Sequence, residues 1–335
     1  MSAIELLYRT AIDFAATNTL IINAHAHPLL NELCAQTHTC TLQQHFKPEY
    51  NAVKSSGLAV SSILPDSGTY DLVLLLPAKN KLQTLAWMAS AMEKLEDHGR
   101  LLVACANSHG ARSYETALQK LAGNVSSTSK SKCRLFSARK TDAVNRELAT
   151  AWLEGGQAQA IESLGLMSQA GLFSWDRADP GSLLLLQQLP DLSGIGMDLC
   201  CGYGLLSHQI LADSPAVQIV HMIEADYFAI ACAGENTKKW QQKVQLHWAD
   251  ATSDELPTQL DWIVCNPPFH SGQARDIDLG QAIVRRACRS LKKGGTLYLV
   301  ANRQLPYEHV LQAELHTCRK LTEANGFKVM QGIRS

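Results

Sequence analysis

Leu260-Asp261-Trp262-Ile263-Val264-Cys265-Asn266-Pro267-Pro268-Phe269-His270 is the stretch that decides the fold. Trp262 to Cys265 is a short apolar run bounded by proline, the pattern of a buried strand in a parallel sheet. Pro267 and Pro268 have no N–H to give to a ladder, so the strand must stop there. The stop leaves the Asn266 amide, the Pro267 carbonyl and the Phe269 ring at the carboxyl edge of the sheet, where open α/β sheets bind ligands. The Asn266 oxygen and the Pro267 carbonyl are two acceptors of restricted geometry. They suit a planar NH2 group, whose two hydrogens they hold while its nitrogen faces a reaction partner. Phe269 offers a face for stacking a flat base, worth about 1–3 kcal/mol.

Working upstream, Ile195-Gly196-Met197-Asp198-Leu199 reads as a strand that enters a turn, Cys200-Cys201-Gly202-Tyr203-Gly204, and leaves it as a helix. Gly202 and Gly204 let the backbone approach a ligand closely, and Asp198 can accept hydrogen bonds from an amino group. A further strand, Val217 to Ile223, ends at Glu224, 26 residues after Asp198. That is close to the step of about 20 residues at which an acid holds ribose hydroxyls. The strand Val244 to Trp248 ends at Asp250-Ala251, placed to recognise an adenine ring. Four successive strand ends thus carry Gly-x-Gly, Glu, Asp and Asn-Pro-Pro-Phe. The order is far more specific than any member. A helix over Leu183 to Leu189, capped by Ser182, precedes them.

The first half has the same rhythm. An amphipathic helix is expected over residues 3–16 and a strand at Leu20-Ile21-Ile22. Asp71-Leu72-Val73-Leu74-Leu75-Leu76-Pro77 matches Asp261 to Pro267 as an acid, an apolar strand and a proline. A helix at 81–96, His98-Gly99, and the strand Leu101 to Ala106 follow. Their counterparts are a helix at 278–291, Gly294-Gly295, and the strand Thr296 to Ala301. Asp71 to Gly99 is 28 residues and Asp261 to Gly294 is 33, so the chain reads as two copies of one domain. The first copy lacks the glycine turn: Asn23-Ala24-His25-Ala26-His27-Pro28 stands there, and it should bind no nucleotide-like cofactor. His25, His27, Cys34, His38, Cys40 and His45 fit no common zinc spacing, and no metal is expected. Residues 130–140 hold five basic side chains and no acid. With Lys79, Lys81 and Arg112, the residues Lys130, Lys132 and Arg134 suggest a phosphate-binding face.

A chain of 335 residues with 46% hydrophobic content is long enough for two domains and two packed cores. A net charge of −1 gives a weak overall field, so a nucleic-acid partner needs a local basic patch. The ten cysteines are scattered without a Cys-x-x-Cys, which argues for reduced thiols in a cytoplasmic setting. No signal peptide and no membrane-length apolar run are read from the sequence. A helical connector over 142–170, which ends near Gly155-Gly156 or resumes beyond it, divides a first domain, 1–150, from a second, 151–335. A monomer is expected.

The four strand-end motifs resemble those of class I S-adenosylmethionine-dependent methyltransferases, and Asn-Pro-Pro-Phe resembles those that methylate amino or amide nitrogens. Phe173-Ser174, Asp179-x-Gly181-Ser182, Asn266 to Gly272 and the altered first copy narrow this further. Over nearly its whole length the chain resembles the ribosomal RNA small-subunit methyltransferase C family. The resemblance implies an α/β protein of two tandem Rossmann-like methyltransferase domains, the first degenerate and helping to bind RNA, the second catalytic. It implies N2-methylation of a guanine in 16S ribosomal RNA, with S-adenosylmethionine as cofactor and ribosomal RNA or the small subunit as partner. Asp198, Gly202 and Gly204 would frame the methionine part, Glu224 the ribose, Asp250 and Ala251 the adenine. Asn266, Pro267, Pro268 and Phe269 would hold the guanine for direct attack of its amine on the methyl group. Beside the resemblance, His270 follows Phe269 on the substrate side and could accept the proton after attack, although an ordinary surface-loop histidine is the favoured reading of it. Other amino or amide nitrogens (a large-subunit guanine, adenine N6, a protein glutamine) and a non-catalytic RNA-binding protein are the alternatives. Three residues depart from the pattern: Cys200 where a glycine is usual, Glu224 where aspartate is usual, and Pro180 inside Asp-x-Gly-Ser.

Overall fold

The computed structural model describes residues 1–268 and 274–335, and it divides into two compact units, Met1–Gln157 and Ala158–Ser335. The boundary lies a few residues beyond the expected one. The reason is α6 (Arg146–Gly155), which packs on α4 (Lys81–Lys94) and so belongs to the first unit.

Within the first unit, β1 (Asn18–Ile22), β2 (Thr39–Gln43), β3 (Tyr70–Leu75), β4 (Leu95–Ala106), β5 (Ser126–Lys130) and β6 (Cys133–Arg139) form one sheet in the order β2-β1-β3-β4-β6-β5. The first four are parallel, and β6 runs antiparallel to both β4 and β5. Helices α1 (Ala3–Ile12), α2 (Pro28–Gln36), α3 (Lys47–Ser55) and α5 (Ala111–Ala122) complete the unit with α4 and α6. The second unit opens on a hairpin of β7 (Ala158–Ile161) and β8 (Leu166–Gln169). Its sheet holds β9 (Gly194–Leu199), β10 (Val217–Glu224), β11 (Val244–Trp248), β12 (Leu260–Cys265), β13 (Leu291–Asn302), β14 (Thr317–Ala324) and β15 (Phe327–Ile333). The order is β11-β10-β9-β12-β13-β15-β14, with only β15 opposed to its neighbours. Helices α7 (Pro180–Leu186), α8 (Leu205–Asp213), α9 (Tyr227–Asn236), α10 (Ala274–Ser290) and α11 (Glu308–Glu314) alternate with the strands. The buried run Met197, Leu199, Ile263, Cys265, Leu297 and Leu299 forms the core on one sheet face, and Val220, Met222, Trp262, Val264 and Val300 that on the other.

The two sheets share one order if β11 is set aside, and the shared acid explains part of this. Asp71 Oδ2 and Oδ1 accept the N–H groups of Thr17 (2.7 Å) and Asn18 (2.9 Å) at the start of β1. Asp261 Oδ2 accepts that of Ile195 (2.7 Å) at the start of β9. The acid therefore ties two neighbouring strands at their amino ends, satisfying N–H groups the ladder does not reach. Gly99 and Gly295 are also equivalent: a Cβ there would sit 3.0 Å from the Tyr70 carbonyl and 2.6 Å from that of Leu260. The residue before each, His98 (φ 66°) and Gly294 (φ 77°), takes the left-handed conformation. The matching glycine is thus Gly295 rather than Gly294. Lys140 and Arg334 close both copies alike, each donating to two carbonyls where a helix runs into its strand, α4 into β4 and α10 into β13.

Two expectations are corrected. The cap of α7 is Asp179, whose Oδ2 accepts the Ser182 N–H at 2.7 Å, because Pro180 at the first helical position has the φ a helix start needs. Cys34 and Cys40 form a disulfide across the α2–β2 turn, so this pair is not reduced. The other eight cysteines are free thiols. The remaining histidines of that region have separate partners: His25 meets Glu49 at 3.0 Å, His27 caps α2, and His45 stands edge-on to Trp87.

Candidate active site

Register alone assembles the site. Leu199 pairs with both Ile223 and Cys265, so Cys200 lies between Glu224 on one side and Asn266 on the other. Strands lie about 4.8 Å apart, which places the Glu224 and Asn266 strand ends about 10 Å from each other across the Cys200–Gly204 turn. Asp250 follows Trp248, the partner of Glu224, one strand further out. The order reverses between β10 and β12 about β9, which is the switch point at which such sheets hold ligands.

The turn is built for close approach. Cys200 and Cys201 donate their N–H groups to the Ile223 carbonyl, and Glu224 Oε2 accepts the Gly202 N–H at 2.9 Å. Gly204 has φ +87°, and a Cβ there would meet Met222 Cε at 2.9 Å and Ala233 Cα at 3.2 Å, so β10 and α9 require glycine. Gly202 (φ +55°) faces open space instead, leaving its backbone accessible. Cys200 holds φ 65°, a conformation costly for a side chain, and packs back against the core rather than over the turn.

Asp198 is fully buried. Its Oδ2 accepts both the N–H (3.1 Å) and the hydroxyl (2.7 Å) of Ser207, while Oδ1 has no partner among the described residues. Burial pushes its carboxyl up to about 7, against the lowering effect of the Ser207 bonds. An orphaned buried carboxylate oxygen fits the ammonium of a methionine moiety, which would supply the missing donor. Glu224 is also raised by burial, and its Oε1 accepts the Ala225 and Asp226 N–H groups. Burial raises Asp226, the cap of α9, to about 6. Asp250 is committed locally: Oδ1 accepts from the backbone and hydroxyl of Thr252, and Oδ2 from the Ser253 hydroxyl. Ala251 is buried beside it.

At the fourth strand end the Asn266 Nδ2 donates to Asp179 Oδ2 and to Ser182 Oγ, both at 2.9 Å. Its Oδ1 is buried and has no partner among the described residues. Pro267 is buried and Pro268 exposed. Phe269 and His270 lie outside the described residues. Sequence reasoning noted Asp179 and Ser182 without seeing that they hold Asn266, and it passed over Ser207. It also missed Asn236, which fixes the β7–β8 hairpin to the glycine turn by bonding Met167 and the Tyr203 carbonyl. That partner is 69 residues from Met167 and carries no local signal.

In the first unit the corresponding edge is stitched by amides. The backbone N–H of Asn23, which has φ 58° like Cys200, donates to Gln43 Oε1, and its side chain donates to the Leu76 carbonyl. Buried Gln44 donates to Asn23 Oδ1 and the Ala24 carbonyl. Lys79, Lys81, Arg112, Lys130 and Lys132 are exposed. Lys79 follows β3, Arg112 follows β4, and the Lys132 carbonyl accepts the Asn107 N–H, so these share the carboxyl edge. Arg134 does not join them freely, because it pairs with Glu115. Arg139 faces Arg100 at the opposite end of β4, so the basic run is split between two edges.

Comparison with known proteins agrees with this architecture. Residues 163–331 match the family model "Methyltransferase small domain" and residues 4–155 the model "Methyltransferase small domain N-terminal". Relatives called ribosomal RNA small subunit methyltransferase C include one from Shewanella sediminis, 26% identical over 97% of this chain and 96% of its own length. One from Alteromonas mediterranea is 30% identical over 78% of this chain and 72% of its own length. Among solved structures, the T. thermophilus 16S rRNA N2 G1207 methyltransferase (RsmC), in complex with AdoMet and guanosine, superposes with a TM-score of 0.83. It covers 99% of this chain and 92% of that one at 24% identity, a likeness of fold.

Proposed function

The chain belongs to the ribosomal RNA small subunit methyltransferase C family, and on that footing we propose that it methylates the exocyclic N2 of a guanine in 16S ribosomal RNA, using S-adenosylmethionine. One observation carries the reading: Asn266 presents a buried acceptor, without a partner among the described residues, beside the glycine turn while its own NH2 is held from behind.

When bound, S-adenosylmethionine supplies a methyl group on a sulfonium. Asp198 and the Gly202–Gly204 turn suit its methionine part and Glu224 its ribose, and Asp250 and Ala251 are assigned the adenine. What the chain does beyond binding is orientation. The guanine amine is a poor nucleophile because its lone pair is delocalised into the ring. An acceptor at Asn266 Oδ1, with the Pro267 carbonyl beside it, draws the two N–H bonds out of conjugation and turns the pair toward the reaction partner. The amine becomes strongly acidic only after attack, so no strong general base is required. The base must leave any duplex to reach this edge. The first domain is assigned to RNA binding through its basic edge, and the protein to the cytoplasm as a monomer.

Transfer of labelled methyl groups to 30S subunits, 50S subunits and naked 16S RNA, followed by mass spectrometry of the product nucleosides, tests the reading. N2-methylguanosine in small-subunit RNA is expected. Label only in 50S RNA, in N6-methyladenosine or in protein would replace it, and no transfer with no cofactor binding would leave a non-catalytic RNA-binding protein.

A further inference from the structure

Resting on that reading, we infer that Asp179 and Ser182 are positioning residues that decide which end of the Asn266 amide meets the substrate, and thereby make the pocket select an amino group. A carboxylate oxygen only accepts hydrogen bonds, so the group facing Asp179 Oδ2 at 2.9 Å must be the NH2. Ser182 Oγ, also at 2.9 Å, takes the second hydrogen. Both hydrogens are then used on the protein side, and Oδ1 is left as the only part of the amide able to meet a ligand. Turned over, the amide would set its oxygen against a carboxylate and offer two hydrogens to a substrate NH2, donor against donor.

The bracket is rigid for reasons visible in Asp179-Pro180-Gly181-Ser182. Asp179 is 6% exposed, and the oxygen that holds Asn266 also accepts the Ser182 N–H at 2.7 Å. The start of α7 thus fixes the acceptor, and Pro180 fixes the entry of the chain. A Cβ on Gly181 would lie 2.9 Å from the Phe327 ring and 3.1 Å from Asp179 Oδ2, so glycine lets this turn press against β15 with the carboxylate in place. The departure at Pro180 therefore reinforces the site.

Helix capping and amide orientation separate in two substitutions. Asp179→Ser keeps a good cap for α7 but is too short to reach Asn266 as well. Asp179→Asn keeps a carbonyl oxygen where Oδ2 stands and serves both N–H groups. Turnover on small-subunit RNA, Kd for S-adenosylmethionine, KM for RNA and Tm are measured for both and for Asp179→Ser/Ser182→Ala. In Asp179→Ser, kcat should fall about 100-fold, the loss typical of one misplaced polar group at a reacting centre. Asp179→Asn should recover most of it, with Kd, KM and Tm little changed in either. The double variant should fall at least as far. Wild-type kcat in Asp179→Ser, or equal loss in Asp179→Asn and Asp179→Ser, would overturn the inference. An inactive wild type under the same assay would instead strike the functional reading beneath it.

Discussion

At Asn266 and Asp198 two buried acceptors lack partners among the described residues, and each makes a separate prediction. Asn266→Ala should leave cofactor affinity within about twofold and lower kcat by about 10²–10³, the range for removing one preorganised polar group. Single-turnover kinetics with calorimetry check this, and near-normal turnover would refute the role given to the amide. Asp198 predicts a pH dependence. Its carboxyl, held near 7 by burial, lies above the unfolded value of about 4. The folded chain therefore binds that proton more tightly than the unfolded one. The resulting stability is fully present below pH about 4 and is lost as pH rises to about 7. A bound ammonium favours the ionised form, so S-adenosylmethionine affinity should rise from pH 5.5 to 7.5 and level off above. In Asp198→Asn that slope should vanish and binding weaken. Calorimetry in buffers of different ionisation enthalpy should detect proton release on binding to the wild type. An affinity flat across this range would show that Asp198 is not opposite the cation.

The elements repeat because the same few residues close each copy. Asp71→Ala strips two N–H groups of their acceptor, and Asp261→Ala one, together with its ion pair to Lys292. Each should cost about 1–3 kcal/mol and lower Tm by several degrees. Lys292 holds the Asp261 carboxyl below its usual range, despite partial burial, so this contribution is present above the ordinary carboxylate value of about 4 and is lost as pH falls below it. Thermal unfolding of both variants tests this, and an unchanged Tm would reduce the shared acid to coincidence. The strands were readable since proline, glycine and apolar runs are local signals. Val244 to Trp248 stands as read, while α10 begins before, and α1 ends before, the bounds that periodicity suggested. Asp179 shows the limit: its link to Asn266 joins residues 87 apart, and nothing near either residue encodes that contact. The placement of Cys200 is illegible in sequence for the same reason, because the direction of its side chain depends on the core behind it. The pairing of Arg134 with Glu115, across β6 and α5, was equally hidden in a run that looked uniformly basic.

For the molecule as a whole, one strand order is built twice with different strand ends. The second unit has glycines and acceptors without partners among the described residues at its carboxyl edge, whereas the first joins its strand ends through Asn23, Gln43 and Gln44 and sets lysines and an arginine there instead. Equilibrium dialysis should accordingly find one S-adenosylmethionine per chain. A stoichiometry of two would restore the first unit as a cofactor site. Its edge suits a polyanion even though the whole chain has a net charge of −1. A protein that neutralises phosphates releases counterions, and affinity then falls with salt by a slope of about 0.7–0.9 per phosphate. Replacing Lys79, Arg112 and Lys132 together by glutamine removes three cations from one exposed edge, and all three belong to the first unit. The plot of log affinity for 16S RNA against log salt should flatten by about 2, with Kd for RNA raised several-fold at low salt and converging on wild type at high salt. Cofactor affinity should not move. An unaltered salt slope would mean that RNA is gripped elsewhere, and the search would turn to the basic side chains at the other end of that sheet, Arg100, Arg139 and Lys140.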